Sequence, residues 1–190
     1  MKYVENQEFI NKKITKLENI QFIDCIFENC SFERCEIKNT QFFECTIKNS
    51  RMVQINFIHS QMRNCSFSKC ECIGVSFGNV VPLGSVNTVF QECKNSFFKY
   101  CIFQGMNMNK FQGITNVFEQ CSFHHCELKQ ANFNGCLLRN SDFQQSNIMK
   151  ADFRESYGYM IDPRNNQIKG AMFSIPEVLH LLDEFQIKLD

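Results

Sequence analysis

From Leu17 to Phe77 an apolar residue recurs every five positions, through Phe22, Phe27, Phe32, Ile37, Phe42, Ile47, Met52, Phe57, Met62, Phe67 and Cys72. The beat returns one residue later at Phe98, Phe103 and Met108, then from Phe118 to Phe153 through Phe123, Leu128, Phe133, Leu138, Phe143 and Ile148. Of the 21 phenylalanines, 14 fall on it, so the period is a property of the chain and not of its composition. Two positions before most centres stands a slim side chain: Cys25, Cys30, Cys35, Thr40, Cys45, Ser50, Ser60, Cys65 and Cys70, then Cys101, Cys121, Cys126, Ala131, Cys136, Ser141, Ser146 and Ala151. Such a beat marks a repeat architecture.

Neither regular element accommodates a period of five. On an α-helix five residues sweep roughly 500°, so successive centres share no face. On a flat strand an odd period sends alternate centres to opposite sides. Both problems disappear if the chain turns a corner once per repeat. Slim residue and centre then point inward from a short extended piece, and the remaining residues make the turn. Residues suited to tight turns close many repeats: Asp24, Asn29, Asn39, Asn49, Asn64, Gly74, Gly105, Gly135 and Asn140. Centres twenty apart match, as in Phe22, Phe42 and Met62 or Phe103, Phe123 and Phe143, which are therefore expected to stack in the core.

Units such as Cys25-Ile26-Phe27-Glu28-Asn29, Ala131-Asn132-Phe133-Asn134-Gly135 and Ala151-Asp152-Phe153-Arg154-Glu155 resemble the pentapeptide-repeat family. The resemblance implies an all-β fold, a right-handed quadrilateral β-helix with four repeats per coil, here with a short C-terminal α-helical cap. The expected organisation is an entry segment over 1–16, the repeat helix over 17–156 with a register break near 78–85, and a turn, helix and dimerisation segment over 157–190.

Charge and cysteine usage narrow the function. Twenty Lys and Arg balance twenty Asp and Glu, scattered along the chain without a basic stripe, so direct nucleic-acid binding is not expected. No apolar run is long enough to span a membrane, and the start lacks a signal-peptide core, so a cytoplasmic location is expected. Of the twelve cysteines, ten take the slim inward position, while Cys72 and Cys93 fall on the centre beat. Spacings of five and ten do not match zinc-ligand pairs, and packed thiols behave as small hydrophobes. His124, His125, Cys126 and Cys121 form the best metal candidate, but histidines and cysteines point to opposite sides. No metal, no cofactor and no enzyme activity are expected. Gly84-Ser85 lacks a nucleophile-elbow context, and His59 and Ser60 face different ways.

What breaks the repeat is therefore where a partner would bind. The first break is Gly78, Asn79, Val80, Val81, Pro82, Leu83, Gly84 and Ser85, where proline and two glycines predict a bulge or projecting loop. A second surrounds Lys110 and Phe111, where Gly113 falls on the beat without a side chain. These two segments form the candidate partner-binding loop. The third is the C-terminus. Ser174-Ile175-Pro176-Glu177 predicts a capping box opening a helix, and Gln186 to Leu189 alternates like an edge strand. Ile175, Val178, Leu179, Leu182, Phe185, Ile187 and Leu189 are the candidate dimer interface.

The order of parts is similar to that of the Qnr-type pentapeptide-repeat proteins and of a microcin-immunity relative. The shared parts are the entry Phe9-Ile10-Asn11-Lys12-Lys13-Ile14, a mid-chain slip, the Asp162-Pro163 turn and Phe173-Ser174-Ile175-Pro176-Glu177 before a Leu-rich helix. The resemblance implies a homodimer that binds DNA gyrase and topoisomerase IV by imitating DNA and protects them from quinolone-like poisons. The neutral charge favours contact through a loop over imitation of phosphates. The alternative from another class is a scaffold solenoid with an unrelated protein partner.

Overall fold

Two residues after each core centre the backbone enters the left-handed region, and there the chain turns a corner. Asp24, Asn29, Asn39, Asn49, Asn64, Gly74, Gly105, Gly135 and Asn140 all have φ between +46° and +70°. Arg34, Glu44, Tyr100 and Thr115 hold the same conformation at +47° to +58°, at roughly 1–2 kcal/mol apiece for a side chain with a Cβ. A hydrogen bond to the next coil offsets this at each turn, as from Asn29 N–H to the Lys48 carbonyl (3.2 Å), Asn49 to Ser68 (2.9 Å) and His125 to Gln144 (2.9 Å). The structure, a computed structural model, describes residues 1–80 and 88–187.

Four corners close a coil, and residues twenty apart pair in parallel: Ile37 with Phe57 on a first face, Phe22 with Phe42 on a second, Phe27 with Ile47 on a third, Phe32 with Met52 on a fourth. The result is a parallel β-solenoid. Its third face stacks Phe9, Phe27, Ile47, Phe67, Cys93, Gly113, Phe133, Phe153 and Phe173. Nine levels at about 4.8 Å span about 38 Å. The ladder starts at Lys2, because Lys2–Glu5 already pairs with Ile20–Ile23.

Three stretches depart from a twenty-residue spacing, one of them near the C-terminal end, where Ser141 pairs with Tyr159, eighteen residues on. The first has eighteen, since Val4 pairs with Phe22, and the shortfall is absorbed between Ile14 and Lys16. In the middle Cys72 pairs with Phe98, an offset of 26, so six extra residues are accommodated there. Five full beats plus one residue make 26, which is the one-residue slip seen in the sequence. One of the six is a bulge at Gln91, where pairing passes from Cys65 with Phe90 to Ser66 with Glu92; the other five come before Phe90, and the Thr88 carbonyl accepts from Asn64 N–H (2.9 Å).

Inside, centres of successive coils lie ring on ring. Phe103, Phe123 and Phe143 stack with centroids 4.7 Å apart, Phe22 and Phe42 at 5.3 Å, and Met62 extends the latter row; all six are buried. The slim position has a polar task as well. Ser50 Oγ accepts from Cys30 N–H (2.9 Å), Ser60 from Thr40 (3.1 Å), and Ser146 from Cys126 (2.9 Å), satisfying amides sealed in the corner. Cysteine thiols there donate to carbonyls of the coil below, Cys65 Sγ to Phe42 (3.3 Å) and Cys70 Sγ to Ile47 (3.3 Å). Asn116 serves both groups at once, its Oδ1 accepting from Ser96 N–H (2.9 Å) and its Nδ2 donating to the Cys93 carbonyl (2.8 Å), and an unmatched buried amide would cost about 1–3 kcal/mol.

The C-terminal cap departs from the expected α-helix. Glu177–Phe185 is a 3-10 helix, and the capping box does not form. Ser174 Oγ instead accepts from Glu155 N–H (3.1 Å) and Glu177 Oε1 from Gly158 N–H (2.6 Å), so both side chains tie the helix to the solenoid. At three residues per turn, positions three apart eclipse. Val178 and Leu181 therefore both face the last coil, Leu181 buried and Val178 packed on the core. Leu179, Leu182 and Phe185 form a second row that faces outward. Gln186 is left-handed and ends the helix, Ile187 is in no strand, and Lys188 and Leu189 of the expected edge strand lie outside the described residues.

Gly113 presents the most local test of the core. Its centre position is empty, yet the coil keeps register with Cys93. Phe111, at the slim position, fills the gap: a Cβ on Gly113 would lie 2.3 Å from the Phe111 ring. Phe111→Ala should cost about 3–5 kcal/mol and Gly113→Ala about 1–3 kcal/mol. The paired change Phe111→Ala with Gly113→Phe restores the ordinary arrangement, and thermal melting should show it recovering most of the loss.

Candidate partner-binding surface

Thr88 lies beside Asn64 at the corner between second and third faces, and Lys110 stands at that corner in the coil above. Within the candidate loop the described residues divide. Asn79 and Lys110 face solvent. Val80 is buried, and Phe111 is only 2 % exposed because it occupies the space left by Gly113, so neither side chain meets a partner. Gly78 has a structural role: a Cβ there would sit 2.8 Å from the Gln104 carbonyl oxygen of the adjoining coil. Val81, Pro82, Leu83, Gly84 and Ser85 lie outside the described residues.

Outward charges are largely paired across coils. Glu28 meets Lys48 (2.9 Å), Arg51 bridges Glu33 and Glu71 (2.7 Å each), and Lys99 meets Glu119. These pairs are partly exposed and each contributes little to stability. Their effect on recognition is larger, because interleaved signs leave no continuous negative face of the kind a DNA duplex presents. The two outward apolar pairs do stack, Ile23 beside Phe43 and Val53 beside Ile73. Phe43 is nonetheless buried, with the Arg63 guanidinium 4.4 Å over its ring.

Four lysines share one edge, which sequence reading as a linear string missed. The corner between second and third faces carries Lys110, Lys129, Lys150 and Lys169 in four successive coils, all exposed. Their spacings of 19, 21 and 19 look scattered until the chain is folded on a twenty-residue period.

A cleft of about 510 Å³ lies between the last coil and the 3-10 helix. Its carboxylates are engaged: Asp142 with His124 (2.9 Å), Asp162 with Arg164 (2.8 Å), Asp183 with His180 (2.9 Å) and Glu177 with the Gly158 amide. The Arg164 partnership holds the Asp162 carboxyl below its ordinary range. The histidine and cysteines of the metal candidate are likewise placed apart, His124 on Asp142 at the surface and Cys121 and Cys126 in the core.

Comparison with known proteins follows the same lines. The pentapeptide-repeat family matches residues 117–154 with eight copies, and the SV2A/B/C luminal domain family matches residues 2–77. Residues 117–154 are pentapeptide repeats, and the chain has the β-solenoid fold of such proteins. It is similar to the structure of full-length QnrB1, a plasmid-mediated fluoroquinolone resistance protein, at 16% identity over 97% of this chain and 100% of that one, with a TM-score of 0.51. It is also similar to HetL, a pentapeptide-repeat protein involved in heterocyst differentiation regulation from the cyanobacterium Nostoc sp. strain PCC 7120, at 11% identity over 90% and 84% of the two chains and a TM-score of 0.52. No curated protein sequence matches the chain. Among the described residues no helix is long and apolar enough to cross a membrane.

All twelve thiols of the solenoid are free and buried. Burial pushes Cys35 and Cys70 up to about 11 and Cys65, Cys126 and Cys136 up to about 12. The folded state thus disfavours thiolate, whereas the unfolded chain ionises near 8.5. Stability should be fully present below that pH and fall as pH rises towards 11, by up to about 1.4 kcal/mol per pH unit per shifted thiol. Melting temperatures between pH 7 and pH 10 should show the decline, and native thiols should stay silent to a thiol reagent until the protein unfolds.

Proposed function

We propose that the protein binds a type II DNA topoisomerase, gyrase or topoisomerase IV, in the cytoplasm and shields it from a quinolone-like poison. The observation that carries this reading is the end-to-end likeness to QnrB1, which takes in 97% of this chain and all of the other. Twelve unpaired cysteines suit a reducing compartment. The interleaved charges favour recognition by the inserted segment and the edge beside it over imitation of duplex phosphates. HetL, similar over a comparable span, favours a second reading, a non-enzymatic solenoid that regulates or scaffolds an unrelated protein.

Supercoiling by gyrase in the presence of ciprofloxacin separates the two. Purified protein should restore supercoiling at low molar excess, and absence of rescue across a wide titration removes the topoisomerase reading. Deleting residues 81–86 would bring the 26-residue coil back to twenty. That variant should keep its β-sheet circular dichroism and lose rescue; retained rescue would place recognition elsewhere.

Pairing of two copies through the 3-10 helix completes the proposal. Leu179 and Phe185 are 43 % and 46 % exposed, Ile175 and Ile187 more so, while Leu181 and Val178 already serve as the cap. Each side chain buried adds about 1.5–3 kcal/mol, and a two-fold axis brings the same row against itself. Changing Leu182 and Phe185 together to Asp should convert a dimer into a folded monomer by light scattering. An unaltered dimer mass would move the interface, and a wild-type monomer would leave the helix as a cap alone.

A further inference from the structure

The lysine edge is built differently from the rest of the surface. Lys110 and Lys150 occupy the left-handed corner position, with φ of +59° and +58°; Lys129 and Lys169 stand one residue earlier. The four therefore zigzag, and no lysine sits directly above another, which avoids the like-charge stacking that destabilises neighbouring strands. Neutral residues complete the pattern: Asn109, Gln130, Met149 and Gly170. Asn109 Oδ1 accepts from Lys129 N–H (2.8 Å), and the Lys150 stem runs beside Gly170, whose absent Cβ would lie 3.3 Å from Lys150 Cγ. Among the described residues only Lys129 of the four forms an ion pair, with Glu127 at 3.7 Å and both side chains about half exposed. Elsewhere on the rod, cations such as Lys48, Arg51 and Lys99 are drawn onto acids at hydrogen-bonding distance.

Lower down, the same edge changes sign. It carries Glu5, Asp24 and Glu44, with Arg63 at 3.6 Å from Glu44. The basic part is thus confined to about 14 Å, three steps of about 4.8 Å. We propose that this edge docks a short, extended acidic segment of a partner protein. One coil step combined with one residue of lateral offset puts successive lysine Cα atoms about 6 Å apart. An extended peptide places side chains on one face every ~6.7 Å, so acids at alternate positions meet the lysines in turn.

Other anions fit less well. Duplex DNA carries a charge every 1.7 Å or so of its axis, and its backbone would continue along the edge onto Glu44, Asp24 and Glu5. Single strands bind on aromatic platforms, which the residues interleaved with these lysines lack. A second copy laid antiparallel would offer Asp24 and Glu44 in a straight file, one of them already drawn to Arg63, against four zigzagged lysines.

The proposal stands apart from the topoisomerase reading, and its test uses no topoisomerase. A fluorescein-labelled Asp-Ser repeat of eight residues is titrated with the full chain and followed by anisotropy at low and raised salt. The variant is Lys129→Glu with Lys150→Glu; Glu44 and Glu155 already hold the corner conformation at +58°, so glutamate is compatible with the turn at 150. The control is Lys94→Glu, on the third face beside Glu92. Saturable, salt-sensitive binding that weakens at least about tenfold in the double variant, and not in the control, is expected, with unchanged circular dichroism. Failure of the wild type to bind, equal binding by a folded double variant, or tighter lysine-dependent binding of a 20-base-pair duplex would overturn it. So would self-association that the double variant abolishes. If the double variant misfolds, Lys169→Gln with Lys110→Gln provides the same comparison.

Discussion

The hydrogen bond from each corner amide to the coil beyond it is the interaction on which the rest of the rod depends. It rewards a left-handed residue every fifth position, even where that residue is Arg34 or Thr115, and it fixes the rise at one strand spacing. Once the corners are set, two side chains per repeat face inward and the others face solvent. Core composition and surface composition are then decoupled. This is why the chain tolerates an eighteen-residue coil at one end and a 26-residue coil in the middle: the shortfall is absorbed between Ile14 and Lys16, one residue of the excess in a bulge at Gln91, and ordinary pairing resumes beyond each.

Much of this was legible because the period is written in residue types that have one physical explanation each. Phenylalanine at the centre, cysteine or serine two before it, and asparagine or glycine two after it gave the corners, the buried thiols and the stacked rows. What the period cannot express is compensation between neighbouring positions. Gly113 reads as a hole and Phe111 as an exposed contact when each is judged by its own place in the beat. Together they exchange roles, and the core stays filled. The same limit applies at the end of the rod. Ser174 and Glu177 have the spacing of a capping box, but amides of Glu155 and Gly158 in the last coil compete for the same oxygens and hold them.

The surface was less legible, since a linear string hides which residues share an edge. Folding the sequence on twenty residues would have gathered Lys110, Lys129, Lys150 and Lys169, and separated them from Glu5, Asp24 and Glu44 on the same edge. Net neutrality then means opposite halves on that edge and tight pairs on the others. The two situations differ physically. A lysine engaged by a cross-coil carboxylate has its field cancelled within a few ångströms. The lysines of this edge, of which Lys129 alone among the described residues forms an ion pair (3.7 Å), have successive Cα atoms about 6 Å apart, inside a Debye length of about 8 Å, and act together on a charge at the edge.

A rod with a filled core has few ways to be specific. It cannot offer a deep pocket, so recognition must come from what the coils display and where they are interrupted. Here the first interruption falls between Val80 and Thr88, and the lysine edge begins at Lys110, one coil on from the corner that holds Thr88 and Asn64. At the far end the 3-10 winding divides one apolar sequence into an inward row that seals the last coil and an outward row of Leu179, Leu182 and Phe185. An α-helix of the same sequence would spread those residues around 100° steps and blur the division. Ser174 and Glu177 tie the start of the helix to amides of the last coil, so a partner copy meeting the outward row would be oriented by the end of the rod.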